Sequence, residues 1–361
     1  MTQKNLRVGL LSHLKEINKF LNLKYLQLVA KPAGSVEDLD VIKDTEVLID
    51  CSFSIFFKKY LNANGFKSKT VATKYGQMHY YDSCPSSKVR PLVFVHGLGS
   101  SAQSWWILAN MLKNKKRILI PNLFHMSGFS EANNAVMNLI EHAESLIEFI
   151  QYTTKTPIEI CGLSMGGWLS MHIAANKPQL IHKMILLNPA GLKVNPFGLR
   201  DTLAFLSWQK FQKLYPGILK AFPYSGVPIL SHIAKRSLYR NLTNKQVKIL
   251  LKLTNEEHFV DDKLKDINCP VLLLWGKEDA LLSNQIPIIL TKQIPKITAK
   301  WVENCAHVLA LEAPAICFLE INQFLKIDCI QNNSFAEMVL ASRFSYPVTP
   351  ILEVEDEDHD N

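Results

Sequence analysis

The sequence lacks the cysteine patterns of a disulfide-rich secreted protein or of a zinc protein. Its 361 residues contain seven cysteines, which is an odd number, and no two of them form a CxxC pair. Several stand inside apolar runs, so the pattern favours buried thiols in a reducing compartment over a disulfide framework. The spacing of Cys and His likewise indicates no zinc site, and we expect neither a metal nor a cofactor.

Long apolar runs are also missing. No uninterrupted stretch of about 20 apolar residues occurs, so we expect no membrane-spanning helix. The first residues, MTQKNLRVGLLSHLKEINKFL, lack the apolar core and the cleavage site of a signal peptide. We therefore expect a cytoplasmic protein, with export by another route left open.

Charge is unevenly distributed along the chain, which has a formal net charge of +8. Residues 188–265 carry 13 Lys and Arg against five Asp and Glu. The last residues, ILEVEDEDHDN, carry six acids and no Lys or Arg, which is typical of a solvated end. No nucleic-acid-binding motif accompanies the basic charge, so we expect no nucleic-acid partner.

From residue 90 onward, apolar runs of strand length alternate with helical patterns. The strand-like runs are PLVFVHG, RILIPNLF, IEICG, KMILLNPAG, PVLLLWGKED and TAKWVENCAH. The helical patterns include NAVMNLIEHAESLIEFIQ, MGGWLSMHIAANKP and NQIPIILTKQI. Fully apolar strands that alternate with helices predict an α/β fold, with a mostly parallel sheet covered on both faces. Before them, KTVATKYGQMHYYDS predicts a β-hairpin with Gly76 at its turn.

These patterns divide the chain into five segments. We predict an N-terminal extension of unknown role (1–65), a first part of the core (66–190), an inserted helical lid (191–265), a second part of the core (266–328) and a C-terminal extension with the acidic tail (329–361). Helical spacing recurs in residues 12–29 of the first extension. The lid has no strand-like run, and its pattern LRDTLAFLSWQKFQKLY indicates a helix.

A GxSxG motif, Gly162-Leu163-Ser164-Met165-Gly166, lies between a predicted strand and a predicted helix. That context suits a nucleophilic serine, because the tight turn accepts only small neighbours and points the hydroxyl out above the sheet. Gly162 and Gly166 therefore stand where side chains would clash. The alternative is a chance match in a glycine-rich turn.

An acid and a histidine follow Ser164 in the order that such a serine needs. Asp279 comes just after one apolar run and His307 just after the next, so both fall at the same sheet edge as Ser164. His307 would accept the serine proton, and Asp279, rather than its neighbour Glu278, would orient the imidazole. Each of the two could alternatively be an ordinary loop residue.

Donors for an oxyanion are expected at two backbone positions. Met165 offers its N–H at a helix N-terminus, and Leu98 offers its own in the first loop, VHGLGSS. Gly97 lets the backbone approach the substrate, and His96, inside a His-Gly pair, is expected to have a structural role.

Residues 68–327 resemble the α/β-hydrolase superfamily through PLVFVHGLGSSAQSWW, GLSMGGWLS, LLLWGKEDALL and ENCAHVLALEAP. These motifs are similar to those of the lipase and esterase branch that includes monoacylglycerol lipases. The resemblance implies that Ser164, Asp279 and His307 are the catalytic triad, and that Leu98 and Met165 form the oxyanion hole. One departure is Asn122, which stands where relatives usually have Asp.

Three functions fit these residues. The first is a carboxylic-ester hydrolase for a small-molecule ester or lipid with a medium or long acyl chain, for which the apolar lid forms the acyl pocket. The basic residues of the lid either contact an anionic membrane surface or form a solvated face. The second is a carbon–carbon bond hydrolase or another acyl hydrolase with the same triad, since LLNPAGL is similar to such enzymes. The third is a non-catalytic interaction protein. Dehalogenases and epoxide hydrolases need a carboxylate where Ser164 stands.

Overall fold

One ten-stranded sheet organises the part of the chain that the computed structural model describes, residues 58–83, 89–126, 128–155, 157–194, 239, 242–327 and 347–351. The strands are β1 (Lys67–Thr73), β2 (Gly76–Asp82), β3 (Leu92–Val95), β4 (Ile118–Pro121), β5 (Glu131–Ala132), β6 (Ile158–Leu163), β7 (Ile181–Leu187), β8 (Val271–Gly276), β9 (Ile297–Val302) and β10 (Val348–Pro350). The α-helices are α1 (Trp106–Leu112), α2 (Leu139–Thr153), α3 (Met165–Asn176), α4 (Lys245–Leu253), α5 (Gln285–Gln293), α6 (Leu309–Glu312) and α7 (Pro314–Leu325). Short 3-10 helices span Ala102–Trp105, Pro178–Leu180, Glu256–His258 and Asp261–Asp266.

The strand order is β1-β2-β4-β3-β6-β7-β8-β9-β10, with β5 paired to β2. The six strands from β4 to β9 in this order are parallel, while β1, β2, β5 and β10 pair antiparallel at the margins. The predicted α/β fold with a mostly parallel sheet is confirmed. All the parallel strands therefore end at one edge of the sheet, called here the carboxyl edge.

Both faces of the sheet are buried, as the continuous apolar runs predict. In β8, Leu273 and Trp275 pack in the core on one face, whereas Leu272 and Leu274 pack in the core on the other. Successive side chains of a strand point to opposite faces, so only a strand covered by helices on both sides can be apolar throughout.

The predicted hairpin is confirmed, with Lys67 paired to Asp82 at its open end. Gly76 has φ +135°, and a Cβ at this position would lie 2.1 Å from the carbonyl oxygen of Glu131. Position 76 therefore accepts only glycine.

Helix α2 begins at Leu139, although its periodic pattern starts several residues earlier. Asn138 caps the helix by accepting from the N–H of Glu141, and the Glu141 carboxylate accepts from the N–H of Asn138 in return. This capping box satisfies two backbone donors of the first turn and fixes where the helix starts.

Parts of both predicted extensions belong to the core. Residues 58–63 are helical, and Leu61 among them is fully buried. Strand β10 pairs antiparallel with β9, and Ile351 after it is buried, with its N–H donating to the Ala299 carbonyl. The helical pattern predicted at 12–29 lies outside the described residues.

The insertion between β7 and β8 is helical in its described part, where α4 and two 3-10 helices follow one another. The pattern predicted as a helix at 199–215 lies outside the described residues. The two ends of the insertion meet, because the Val260 N–H donates to the Gly191 carbonyl at 3.0 Å. None of the described helices has the length and apolar character that a membrane crossing requires.

Candidate active site

Ser164 occupies a strained turn between β6 and α3. Its φ of 54° and ψ of −120° lie in a region that non-glycine residues rarely adopt. The turn is held in place because the Ser164 N–H donates to the Leu187 carbonyl, while its own carbonyl accepts from the N–H of Gly167 and of Ala190. The hydroxyl makes no hydrogen bond to cap α3.

The two motif glycines allow this turn for a steric reason. A Cβ at Gly162 would lie 2.3 Å from the Gly166 carbonyl oxygen, and one at Gly166 would lie 2.1 Å from the Val95 carbonyl oxygen. Both distances are far below any real contact, so larger residues would push α3 away from β3 and β6. The lack of room for a side chain that the sequence predicts is therefore present at both positions.

Asp279 and His307 meet at the carboxyl edge, where the loops after β8 and β9 lie side by side. His307 Nδ1 is 2.7 Å from Asp279 Oδ2, and both side chains are buried. The other Asp279 oxygen, Oδ1, accepts from the backbone N–H of Leu281 and Leu282. Burial alone would raise the pKa of Asp279, but the charge of His307 and these hydrogen bonds hold the pKa below its ordinary value.

Sequence reasoning missed Asn188 as a member of this group. Its Nδ2 donates to Asp279 Oδ2 at 2.6 Å, and its Oδ1 accepts from the Gly276 N–H at 3.1 Å. The residue is fully buried, with φ at 41°. Its position in the sequence could have identified it, because Asn188 directly follows an apolar strand, as the loops that carry Asp279 and His307 do.

Glu278 points away from the His307 ring. Its Oε2 accepts from the backbone N–H of Cys305 at 2.6 Å. Of the two neighbouring acids, Asp279 therefore contacts the imidazole and Glu278 contacts the loop that carries it.

The first loop lies directly against Ser164. A Cβ built on Gly97 would be 3.2 Å from Ser164 Cβ and 3.7 Å from its Oγ. The backbone that continues into Leu98 is thus next to the serine, and Met165 opens α3 immediately after it. The two expected oxyanion donors belong to chain segments that the structure brings together at Ser164.

His96 connects the loops after β3 and β4. Its Nε2 accepts from the Leu123 N–H at 3.0 Å, so Nδ1 carries the ring proton and donates to the Gly97 carbonyl at 2.9 Å. Burial lowers the pKa of His96 to about 4, against a smaller opposite effect of the Gly97 bond. With both nitrogens occupied, His96 holds the loop rather than acting as a base.

Asn122 holds the same loop from the end of β4. Its Oδ1 accepts from the Ala102 N–H at 2.8 Å, and its Nδ2 donates to His79 Nδ1 at 2.8 Å. A neutral ring is required for that second bond, and burial lowers the pKa of His79 to about 4. An aspartate at position 122 could not donate this hydrogen bond, so the amide fits its partner here.

The described part of the chain contains no cluster of three or more His, Cys, Asp or Glu side chains that could hold a metal ion. The described cysteines, Cys161, Cys269, Cys305 and Cys317, are not joined in disulfides.

Comparison with known proteins agrees with this architecture. A family model described as the alpha/beta hydrolase fold matches residues 90–314. Monoacylglycerol lipase ABHD6 of Mus musculus is 22% identical over 283 residues, covering 68% of this chain and 79% of its own length. Lipase 1 of Psychrobacter immobilis is 24% identical over 272 residues, covering 70% of this chain and 82% of its own.

Among solved structures, carboxylesterase CesB of Bacillus subtilis has a TM-score of 0.60 and 20% identity, covering 75% of this chain and 97% of its own. The resemblance inferred from the motifs is confirmed. The matched residues include Ser164, Asp279 and His307. The chain belongs to the α/β-hydrolase fold family.

Proposed function

We propose that this α/β-hydrolase cleaves carboxylic esters, with Ser164 as nucleophile, His307 as general base and Asp279 as the acid that orients it. The observation that carries the proposal is the buried pair of His307 and Asp279, 2.7 Å apart, at the edge where Ser164 forms its strained turn. A serine in a strained turn, at the same sheet edge as an oriented imidazole, is the arrangement that favours nucleophilic catalysis.

The two ring nitrogens of His307 have different partners in the proposed reaction. Asp279 engages Nδ1 of His307, so Nε2 is the atom that accepts the Ser164 proton as Oγ attacks the ester carbonyl. The backbone N–H groups of Met165 and Leu98 stabilise the oxyanion. The imidazolium then gives its proton to the departing alcohol, and water releases the acyl group by the same steps.

The lipase names of two relatives support an ester as substrate. The carbon–carbon bond hydrolase remains the alternative, because it uses the same triad and differs in the bond that is broken. The strained Ser164 speaks against a non-catalytic scaffold, since a strained backbone costs stability and clusters at functional sites.

An acyl chain and an anionic membrane surface are proposed contacts of the insertion. Its described helix α4 buries Val247 and Leu250, and it exposes Lys245, Lys248 and Lys252 at helical spacing. Lysines on the solvent face of an amphipathic helix attract anionic lipid headgroups.

Removal of the nucleophile tests the proposal directly. We expect Ser164→Ala to lower kcat for p-nitrophenyl esters by about 10⁴–10⁶-fold, because the alanine cannot form the acyl-enzyme. A fluorophosphonate probe should label the wild type and not this variant. Ser145→Ala, which removes a buried hydroxyl of α2, is the matched control and should keep both activity and labelling. Substantial turnover by Ser164→Ala would contradict the assignment.

Asn188→Gly tests the support of Asp279. Glycine tolerates the positive φ, so the change removes the side chain without backbone strain. A buried hydrogen bond to a charged group contributes about 1.5–3 kcal/mol, and we expect kcat to fall by about 10–100-fold. Asn304→Gly is the control, since Asn304 is exposed and also has a positive φ of 57°. Equal kcat values for the two variants would show that Asn188 does not support Asp279.

Substrate chain length tests the acyl pocket. Each buried CH₂ contributes about 0.8 kcal/mol, so kcat/KM should rise about fourfold per carbon until the pocket is full. A series of p-nitrophenyl esters from acetate to palmitate measures this, with monoacylglycerols and a carbon–carbon bond substrate assayed beside it. A flat series would remove the long-chain ester from the proposal. Faster turnover of the carbon–carbon substrate would favour the alternative.

Vesicle binding tests the membrane contact. Replacing Lys245, Lys248 and Lys252 with Gln should weaken co-sedimentation with phosphatidylserine vesicles, and salt should weaken wild-type binding, because the attraction is screened. The control replaces Lys115, Lys177 and Lys296 with Gln, since these exposed lysines precede parallel strands at the opposite edge. Binding that ignores salt and lipid charge, or that both triple variants weaken equally, would argue against α4 as the contact.

A further inference from the structure

The loop that carries His307 is held by two carboxylates that are not part of the predicted triad. Glu312 Oε2 accepts from the Ala306 N–H at 2.9 Å, and Glu312 Oε1 accepts from the Val308 N–H at 2.9 Å. The Cys305 N–H, one residue earlier, donates to Glu278 Oε2. The two oxygens of a single Glu312 carboxylate therefore bind the backbone on both sides of His307.

Burial of the Glu312 carboxylate costs hydration free energy, so the interactions around it must compensate. It is the last residue of α6 and is 5% exposed. Burial raises the pKa of Glu312, and the hydrogen bonds from Ala306 and Val308 act in the opposite direction. A buried carboxylate is retained only where its hydrogen bonds and charge compensate for lost hydration, and here those bonds come from the two backbone N–H groups that flank His307.

The restraints on His307 come from two directions. Asp279 fixes the ring through Nδ1, while Glu312 fixes the main chain from which the ring projects. Besides His307 and Asp279, the ionisable groups around Glu312 are Cys305 and Cys317. The Cys305 Sγ lies 3.9 Å from Glu312 Oε2. Glu278 contacts the same loop through the Cys305 N–H. The charge of Glu312 attracts a protonated His307 and repels Asp279.

We propose that Glu312 is a positioning residue for His307, which fixes the backbone on both sides of the imidazole. The inference rests on the proposed function, in which His307 is the general base. His307 must receive a proton from Ser164 and return it to the leaving group, so the rate is sensitive to the position of its imidazole. A displacement of about 1 Å can lower the rate about 100-fold.

Glu312→Gln separates this role from simple packing. The amide has the same size, but only its oxygen can accept, so its NH₂ group faces one of the two backbone donors. We expect kcat per fluorophosphonate-titrated site to fall by about 10–100-fold, as for the loss of one buried hydrogen bond to a charged group, with KM changed less than about twofold.

Glu320→Gln is the matched control, since Glu320 lies on the neighbouring helix α7 and pairs with Lys300. It should leave kcat per titrated site unchanged. Glu312→Asp is the second variant and keeps the carboxylate on a shorter side chain. We expect kcat per titrated site to fall in this variant as well, because the shorter carboxylate can no longer reach both backbone donors.

Three results would overturn the inference. The first is a Glu312→Gln variant with a lower melting temperature but unchanged kcat per titrated site. The second is a Glu312→Asp variant with the wild-type kcat per titrated site. The third is an equal loss in Glu320→Gln. His307→Ala separates this inference from the proposed function: an active His307→Ala would overturn the base assignment itself, whereas an inactive one beside a normal Glu312→Gln would overturn only the role of Glu312.

Discussion

The close packing of α3 against the ends of β3 and β6 is the constraint on which the candidate site depends. Cβ positions at Gly162 and Gly166 would lie 2.3 Å and 2.1 Å from backbone oxygens, so no side chain fits between helix and strands. Because the helix starts so close to the sheet, the chain must reverse within one residue, Ser164, which adopts φ 54°. The same reversal lifts the serine hydroxyl above the sheet and aims the start of α3 at the adjoining space.

Hydrogen bonds between loops, rather than apolar packing, assemble the rest of the site. The parallel strands end at one edge and leave backbone groups that need partners there. Polar side chains supply these partners: Asn188 joins the loops after β7 and β8, Glu278 joins those after β8 and β9, and His96 joins those after β3 and β4. Asn188 and His96 are buried, so their links cost the burial of a polar group, and each of the three links sets the position of one loop against its neighbour.

The insertion is attached to the core through Trp168, one turn beyond the serine on α3. The indole Nε1 donates to the His258 carbonyl at 2.8 Å, and the ring stacks on Phe259 with centroids 4.9 Å apart. Gly191, at the other end of the insertion, lies so close to this ring that a Cβ would be 2.7 Å from it. The two described ends of the insertion therefore both contact Trp168, one turn beyond Ser164.

The sequence by itself determined what depends on near neighbours. Continuous apolar runs that alternate with helical patterns predicted the parallel strands and their helices, and the GxSxG spacing predicted a turn with no room at its glycines. The order of Ser164, Asp279 and His307 after apolar runs predicted a shared edge, because parallel strands all end on the same side. Tertiary structure decided the links between distant segments. Asn188 meets Asp279 across 91 positions, and β10 joins β9 after a long interval, since pairing and burial depend on which surfaces the whole fold brings into contact.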